Sequence, residues 1–492
     1  MKKATTPELS KSRYLYGLRC PKYLWLETWR KKLRNEYDEP TEEILAQGYR
    51  VGALARKLFP GGIEIPYNGF SMDEQQKQTL EALKHSKVIY EASFQYNGVF
   101  VTADILRKVR GGWELYEVKS SSKPEDSHYD DLAVQYHVIT NAGIQVSKTH
   151  LVHINTSYQR KGALDPSQLF IVVNLTDDVK ERQASVKKQI AAQKKILAGA
   201  EPDVPIGAYC YQKYECPFTS HCWQHVPDKG SVFDLAGQGV NQYQLFHEGI
   251  KKLKDIPLDR LKGKQRQQAE ATRKKQTIIN KEGLQEFLDR LRYPLCYLDF
   301  ETFMEAVPSY DGQSPYQQMP FQFSLHIQKK PGGKLHHHEY LAPPCVDPRK
   351  GFLDELLRVL PEDGCVMVYY MPFEKGRLEE LAKRYPRKNK QIQGVINNMV
   401  DLLEPFKARH LYSWKQEGSH SLKAVLPAFV KDLSYDDLEI GDGGGAMQAY
   451  HEMCALVDSP EKLATLRQHL LAYCRQDTLA MVKLLEVLFE RT

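Results

Sequence analysis

The sequence predicts an α/β protein built from two successive halves of different pattern. Three observations predict it. Val99–Lys119 reads as two strands joined at Gly111-Gly112. Arg292–Thr302 contains an apolar strand that ends in an Asp-x-Glu triplet. The lysine- and arginine-rich stretch between them alternates helical runs with Gly and Pro breaks, as a connector does. With 492 residues, 42% hydrophobic and 26% charged, the chain is long enough for about two to four globular domains.

Composition narrows the function classes. No apolar run is long enough to span a bilayer, so no membrane partner is expected. The start, Met1-Lys2-Lys3-Ala4-Thr5-Thr6-Pro7, leads into polar sequence without an apolar core, which reads as no signal peptide and a cytoplasmic, bacterial setting. The net charge of +6 is mildly basic, which fits a nucleic-acid groove balanced by acids elsewhere. Nine cysteines without an export signal point to a reducing compartment.

In the N-terminal half, Ser10 caps a short helix and Cys20-Pro21 opens an aromatic-rich one. Thr41–Ala55 reads as a helix, and Glu91 lies on a strand before the hairpin. The first hairpin strand ends on Asp104, and alternation on the second puts Glu117 and Lys119 on one face and Val118 on the other. Asp104 and Glu117 then converge, and two carboxylates with the Val118 carbonyl offer hard oxygen ligands to Mg²⁺ or Mn²⁺. Lys119 is placed to activate a water and offset phosphate charge. The bland reading is an exposed hairpin with a cross-strand charge pair. Asp131–Val138 forms the next helix, Thr149–Asn155 a strand, and residues 177–199 a long polar helix. Cys210, Cys216 and Cys222 follow at x5 spacings.

The Asp104…Glu117-x-Lys119 pattern resembles the PD-(D/E)XK nucleases, specifically their RecB-like branch. One cysteine before the core and three after it is similar to the arrangement in AddB and in the CRISPR-associated RecB-like exonucleases. That resemblance implies a [4Fe–4S] cluster held by Cys20, Cys210, Cys216 and Cys222; structural zinc or free thiols are the alternatives. It also implies a histidine on the helix Thr41–Ala55 reaching the metal, where this chain has Gly52, with Glu42 or Glu43 as substitutes. Gln135 resembles the glutamine of the helix that follows the Glu-x-Lys strand, which implies contact with the nucleic-acid backbone or the catalytic lysine.

The middle, residues 231–285, reads as a helix, a turn at Gly249 and a second helix, either touching phosphates or serving as a solvated connector. In the C-terminal half, Asp299 and Glu301 share one strand face. Phe321–Ile327 and Leu335–Tyr340 pair as strands, and His336, His337 and His338 read as exposed because neighbours on a strand alternate faces. Glu374 follows the strand Gly364–Tyr370, with Asp401 as its rival. Tyr473 and Asp477 lie one helical turn apart.

Asp-Phe-Glu-Thr after a buried strand, Phe373-Glu374, His420-Ser421-Leu422-Lys423 and Tyr473-x3-Asp477, in that order, resemble the motifs of DnaQ-like (DEDD) exonucleases of RNase H-like fold. Tyr370 and Glu374 replace the Asn and Asp of the second motif. The resemblance implies a PD-(D/E)XK domain over 1–230, a helical connector over 231–285 and an RNase H-like exonuclease domain over 286–492. The whole is similar to an uncharacterised bacterial two-nuclease family. It implies two metals on Asp299, Glu301, Glu374 and Asp477, with Tyr473 orienting water and Lys423 contacting nucleic acid. The expected activity is metal-dependent hydrolysis of DNA phosphodiester bonds, a 3′→5′ exonuclease in the C-terminal domain plus a RecB-like nuclease in the N-terminal one, in DNA repair or phage-related processing. Alternatives are an RNA-processing exonuclease and a nucleic-acid-binding scaffold with decayed sites.

Overall fold

The computed structural model describes residues 8–36, 39–67 and 71–492, with the backbone alone for 39–42. It is mixed α/β. The chain divides into two compact units, residues 1–225 with 305–317, and residues 226–304 with 318–492.

The first unit is organised on a seven-stranded sheet. Its strands are β1 (Leu9–Ser10), β2 (Ile63–Glu64), β3 (Val88–Tyr96), β4 (Val99–Val109), β5 (Gly112–Lys119), β6 (Val146–Ile154) and β7 (Phe170–Asn174). The order is β2-β3-β4-β5-β6-β7, with β1 parallel to β4. Gly111 and Gly112 both take positive φ, +93° and +138°, which is why glycines make the β4–β5 turn.

The β4–β5 ladder runs from Val109↔Gly112 to Ile105↔Tyr116. Beyond that point β1 pairs with β4 instead, at Leu9↔Val99 and Ser10↔Phe100. Asp104 and Glu117 therefore stand where the two hairpin strands part. Glu91, opposite Asp104 on β3, has a left-handed φ of +55°. There β3 changes sides: Tyr90 joins one apolar layer, Ala92 and Phe94 the other.

Helices α1 (Lys11–Arg19), α2 (Pro21–Trp29), α3 (Glu39–Ala55), α4 (Met72–His85), α5 (Asp126–Asn141) and α6 (Gln183–Ala198) complete this unit. The single polar helix expected over 177–199 is broken at Arg182, and its second part buries Val186, Ile190 and Leu197. Residues 305–317, between two strands of the second unit, add Ala306, Val307 and Tyr316 to the layer that holds Val118 and Tyr116.

The second unit holds a five-stranded sheet and a two-stranded one. Its strands are β8 (Thr277–Ile279), β9 (Leu295–Phe303), β10 (Met319–Gln328), β11 (Leu335–Leu341), β12 (Cys365–Val368), β13 (Met399–Asp401) and β14 (Leu411–Ser413). The larger sheet runs β11-β10-β9-β12-β13, antiparallel through β9 and parallel after it. Its helices of eight residues or more are α7 (Gly263–Lys274), α8 (Lys281–Leu288), α9 (Pro348–Val359), α10 (Pro372–Arg384), α11 (Asn389–Asn397), α12 (Leu422–Phe429), α13 (Gly443–Ala455) and α14 (Pro460–Arg491).

Alternation on β9 decides what the site faces. Leu295 and Tyr297 pack with Ala480, Met481, Leu484 and Leu485 of α14. Cys296, Leu298 and Phe300 pack with Phe352 and Leu378 of α9 and α10. Asp299 and Glu301 have the parity of the α14 face. In the middle stretch a short helix, Gln242–His247, ends at Gly249 (φ +92°). The second helix expected directly after it is replaced by two 3-10 turns around Pro257, whose ring cannot continue a helix. Among the described residues no helix is long and apolar enough to cross a membrane.

Candidate functional site

The first unit gathers Asp104, Glu117, Lys119, Asp131 and Gln135 as one hydrogen-bonded group. Asp104 Oδ2 accepts from the Val118 amide (2.7 Å), so Val118 enters through its N–H. Lys119 Nζ donates to Glu117 Oε1 (2.5 Å) and Asp131 Oδ2 (2.7 Å). Gln135 Nε2 donates to Glu117 Oε2 (2.7 Å) and Asp131 Oδ1 (2.9 Å). Asp131 and Gln135, four apart on α5, share the face turned to the sheet. Gln135 is fully buried; its amide nitrogen holds two carboxylates and its Oε1 has no hydrogen-bond partner. Burial first, then Asp104 and Asp131, push the Glu117 carboxyl up to about 7. Burial acts the same way on Asp131, but Lys11 and Lys119 outweigh it and hold that carboxyl below the usual range.

A further cation, Lys11 from the first turn of α1, completes the group. It donates to Glu117 Oε1 (3.0 Å) and Oε2 (3.2 Å) and lies 3.3 Å from Asp131 Oδ1. Glu91 is paired with Arg56 (2.8 Å). Glu43 pairs with Arg50, and the Glu42 side chain lies outside the described residues. Gly52 offers no ligand, and a Cβ there would meet nothing within 4 Å.

Cys20, Cys210, Cys216 and Cys222 line one cavity of the same unit. Arg19 closes α1 onto the cysteine loop by donating to the carbonyls of Tyr209 (2.7 Å), Cys210 (2.8 Å) and Tyr214 (2.7 Å). Among the described residues no three of these thiols lie within 4.8 Å of one another. A single tetrahedral zinc would draw its sulfurs to about 3.8 Å apart, given Zn–S bonds of about 2.3 Å. Four soft sulfurs could hold either a metal–sulfur cluster or zinc. Burial pushes the Cys216 and Cys222 thiols up to about 11.

In the second unit Asp299, Glu301, Glu374 and Asp477 come together. Asp299 and Glu301 project from β9, Glu374 from the first turn of α10, and Asp477 from α14. Glu301, Glu374, Asp477 and Tyr473 are all buried. Burial raises all four carboxyls. Asp477 adds to the effect at Asp299, and Asp299 adds to it at Glu301 and Glu374. Asp477 is pushed up to about 6 by burial, against the hydrogen bond from Tyr435 and the charge of Lys423. Glu374 Oε2 is buried with no hydrogen-bond partner. An orphaned oxygen beside two other buried acids and the half-buried Asp299 could hold a hard divalent cation through carboxylate oxygens. Asp401, its rival, spends its carboxylate on the amides of Tyr370 (2.9 Å), Met371 (3.0 Å) and Leu403 (3.0 Å). That holds Tyr370 at φ +79° and sets the start of α10, which aims Glu374.

Lys423 donates to Tyr473 Oη (3.3 Å) and to the Gly441 carbonyl. In this unit Tyr435 and Cys474 escaped the sequence reading, as Lys11 and Asp131 did in the first. Tyr435 donates to Asp477 Oδ1 (2.5 Å). Cys474 Sγ lies 3.6 Å from Asp299 Oδ2, and Asp299, Glu301 and Cys474 present ligand atoms within 4.8 Å of one another. Cys474 is adjacent to a motif residue, a signal that could have found it. Tyr435 lies in a loop with no spacing to flag it. Of the histidines, His336 and His338 are exposed, whereas His337 turns inward, donating to or accepting from Ser324 Oγ (2.9 Å) beside His326. This corrects the expectation that all three face solvent: a strand crossed by α14 has one covered face.

Sequence comparison finds partial relatives. The chain is 26% identical over 210 residues to "Uncharacterized protein MG366 homolog" of Mycoplasma pneumoniae, covering 39% of this chain and 32% of that protein. It is 24% identical over 213 residues to "Uncharacterized protein MG366" of Mycoplasma genitalium, covering 40% of this chain and 32% of that protein. The chain thus spans about a third of the length of these curated relatives. Among solved structures it aligns with that of SSO0001 at TM-score 0.22 and 15% identity, over 45% of this chain and 88% of that one. Residues 296–421, which carry Asp299, Glu301 and Glu374, match the family described as "Domain of unknown function (DUF2779)".

Proposed function

We propose that the chain is a metal-dependent nuclease that hydrolyses DNA phosphodiester bonds, with a 3′→5′ exonuclease of DnaQ-like type in the second unit and a RecB-like PD-(D/E)XK fold in the first. The observation that carries this reading is the meeting of Asp299, Glu301, Glu374 and Asp477 in one largely buried centre, with Glu374 Oε2 unpartnered. Asp299, Glu301, Glu374 and Asp477 would hold Mg²⁺ or Mn²⁺, which would supply Lewis acidity for displacement at phosphorus. The Tyr473 hydroxyl orients the attacking water, and Lys423, on that hydroxyl and among the acids, keeps it in place. Tyr435 fixes the rotamer of Asp477.

In the first unit the four cysteines are proposed to hold a [4Fe–4S] cluster that ties the start of the domain to its end. The four cysteines lining one cavity and the Arg19 clasp that closes the helix onto the cysteine loop support this reading. The cytoplasmic setting, repair or phage-related role and DNA preference belong to the same proposal.

The test uses full-length protein and a 3′-labelled denatured DNA strand. Asp299→Asn is expected to lower Mn²⁺-dependent hydrolysis on the order of 10³-fold, since a metal contributes several kcal/mol to the transition state. Undiminished hydrolysis in that variant rejects the second-unit site. Matched DNA and RNA oligonucleotides separate the DNA reading from the RNA one.

A further inference from the structure

The first unit's acid centre differs from the second in one respect: its carboxylates are already occupied. Each oxygen of Glu117 and Asp131 has a cationic or amide donor. Glu117 Oε1 takes Lys11 (3.0 Å) and Lys119 (2.5 Å), and Oε2 takes Lys11 (3.2 Å) and Gln135 (2.7 Å). Asp131 Oδ1 faces Lys11 (3.3 Å) and Gln135 (2.9 Å), and Oδ2 takes Lys119 (2.7 Å).

We propose that Lys11 is a built-in cation of this centre, standing where a divalent metal would bind, and that Glu117 and Asp131 are thereby closed to Mg²⁺ and Mn²⁺. Metal-dependent hydrolysis then belongs to the second unit. The inference concerns metal binding in the first unit and does not rest on the nuclease reading.

Three features of the chain place Lys11 there. The hairpin strands part at Asp104 and Glu117, and β1 fills the vacated edge of β4, so the residue after β1 arrives beside Glu117. Lys11 is the first residue of α1, capped by Ser10 Oγ on the Arg13 amide (3.2 Å). A helix N-terminus disfavours a cation, so the carboxylates hold this one in place against the helix dipole. The other end of α1 is clasped by Arg19, so Lys11 is carried on a helix anchored at both ends.

A divalent ion entering this site needs carboxylate oxygens at about 2.0–2.1 Å and must coexist with two ammonium groups at hydrogen-bond distance. Lys11 and Lys119 already offset two of the three acids Asp104, Glu117 and Asp131, leaving too little negative charge to draw it in. Gly52 adds no imidazole to compensate.

Equilibrium dialysis of Mn²⁺ against the full chain tests this, with bound Mn²⁺ counted by electron paramagnetic resonance. The Glu117→Gln variant is expected to bind as many Mn²⁺ ions as the unaltered chain. Lys11→Met is expected to bind one more, and Lys11→Met/Glu117→Gln to return to the original count. Where Lys11→Met or Glu117→Gln fails to fold, Lys11→Gln and Asp104→Asn replace them. One ion fewer in Glu117→Gln overturns the proposal, and so does an unchanged count in the folded Lys11 variant. Any Mn²⁺ in the second unit cancels from these differences. Failure of Asp299→Asn to reduce hydrolysis therefore rejects the nuclease reading and leaves this inference standing.

Discussion

Tyr435 shows how one residue can hold a centre without belonging to its motif. Its hydroxyl meets Asp477 Oδ1, and that bond opposes the burial that raises the Asp477 carboxyl. Tyr435→Phe should loosen Asp477 and weaken Mn²⁺ binding by about 10- to 100-fold, the usual cost of losing a group that orients a ligand. Isothermal titration of the full chain with Mn²⁺ measures it. Cys474 invites a different probe. A thiol 3.6 Å from Asp299 Oδ2 should enter the coordination of a softer ion. Co²⁺ added to the chain is expected to give a sulfur-to-cobalt charge-transfer band that Cys474→Ser removes, with the four-cysteine site blocked identically in both samples. These two residues were not legible beforehand for different reasons. Asp299 with Glu301, and Tyr473 with Asp477, reveal themselves by the periods of strand and helix. Tyr435 reaches the site from a loop, and Cys474, although three residues before Asp477 on one helix, is not one of the motif residues that flag the site.

At the scale of elements, the pairing of β10 with β11 under α14 buries two imidazoles. His326 Nδ1 lies 2.8 Å from Thr478 Oγ1, and His337 Nε2 lies 2.9 Å from Ser324 Oγ. Burial is the main cause that lowers both, His326 to about 3 and His337 to about 4. Above the ordinary value of 6.5 both are neutral folded or unfolded and cost nothing. As pH falls below 6.5 the unfolded chain takes up protons that the folded one refuses, so stability is lost progressively toward pH 4. Each residue accounts for about 1.4 kcal/mol per pH unit in that window. Denaturant melts at about pH 7 and about pH 5 should therefore differ less in His326→Gln/His337→Gln than in the unaltered chain. Raised carboxyls such as Asp477 act in the opposite direction, so the difference between the two proteins is the quantity to read. The hairpin β4–β5 was legible from its glycines and alternation. The reversal of sides at Glu91 was not, since it depends on a backbone conformation rare for glutamate.

At the scale of the whole molecule, the units are not two consecutive stretches of chain. Residues 305–317, between β9 and β10, belong to the first unit, where Tyr316 Oη donates to the Ser120 carbonyl and Arg160 Nη1 donates to the carbonyls of Pro308 (3.0 Å) and Ser309 (2.8 Å). A fragment covering residues 226–492 leaves this segment without its partners. Chymotrypsin is expected to cut the fragment after Tyr310 or Tyr316 and to spare those bonds in the full chain; equal cleavage in both contradicts it. Two halves of different pattern could be read from composition and motif order, but an excursion of one half into the core of the other has no local signature.

By itself, the sequence determined the strands, the amphipathic helices and the acids that share a face, because spacing along a regular element fixes which side chains point together. Only the tertiary structure decided which groups from remote stretches complete each centre. Lys11 reaches Glu117 because β1 fills a gap in the sheet, and Asp401, the rival of Glu374, instead spends its oxygens on backbone amides. The two acid centres thus differ in their partners, one paired with ammonium groups and the other a set of acids raised by burial and by one another, and that difference arises from through-space contacts that no periodicity along the chain encodes.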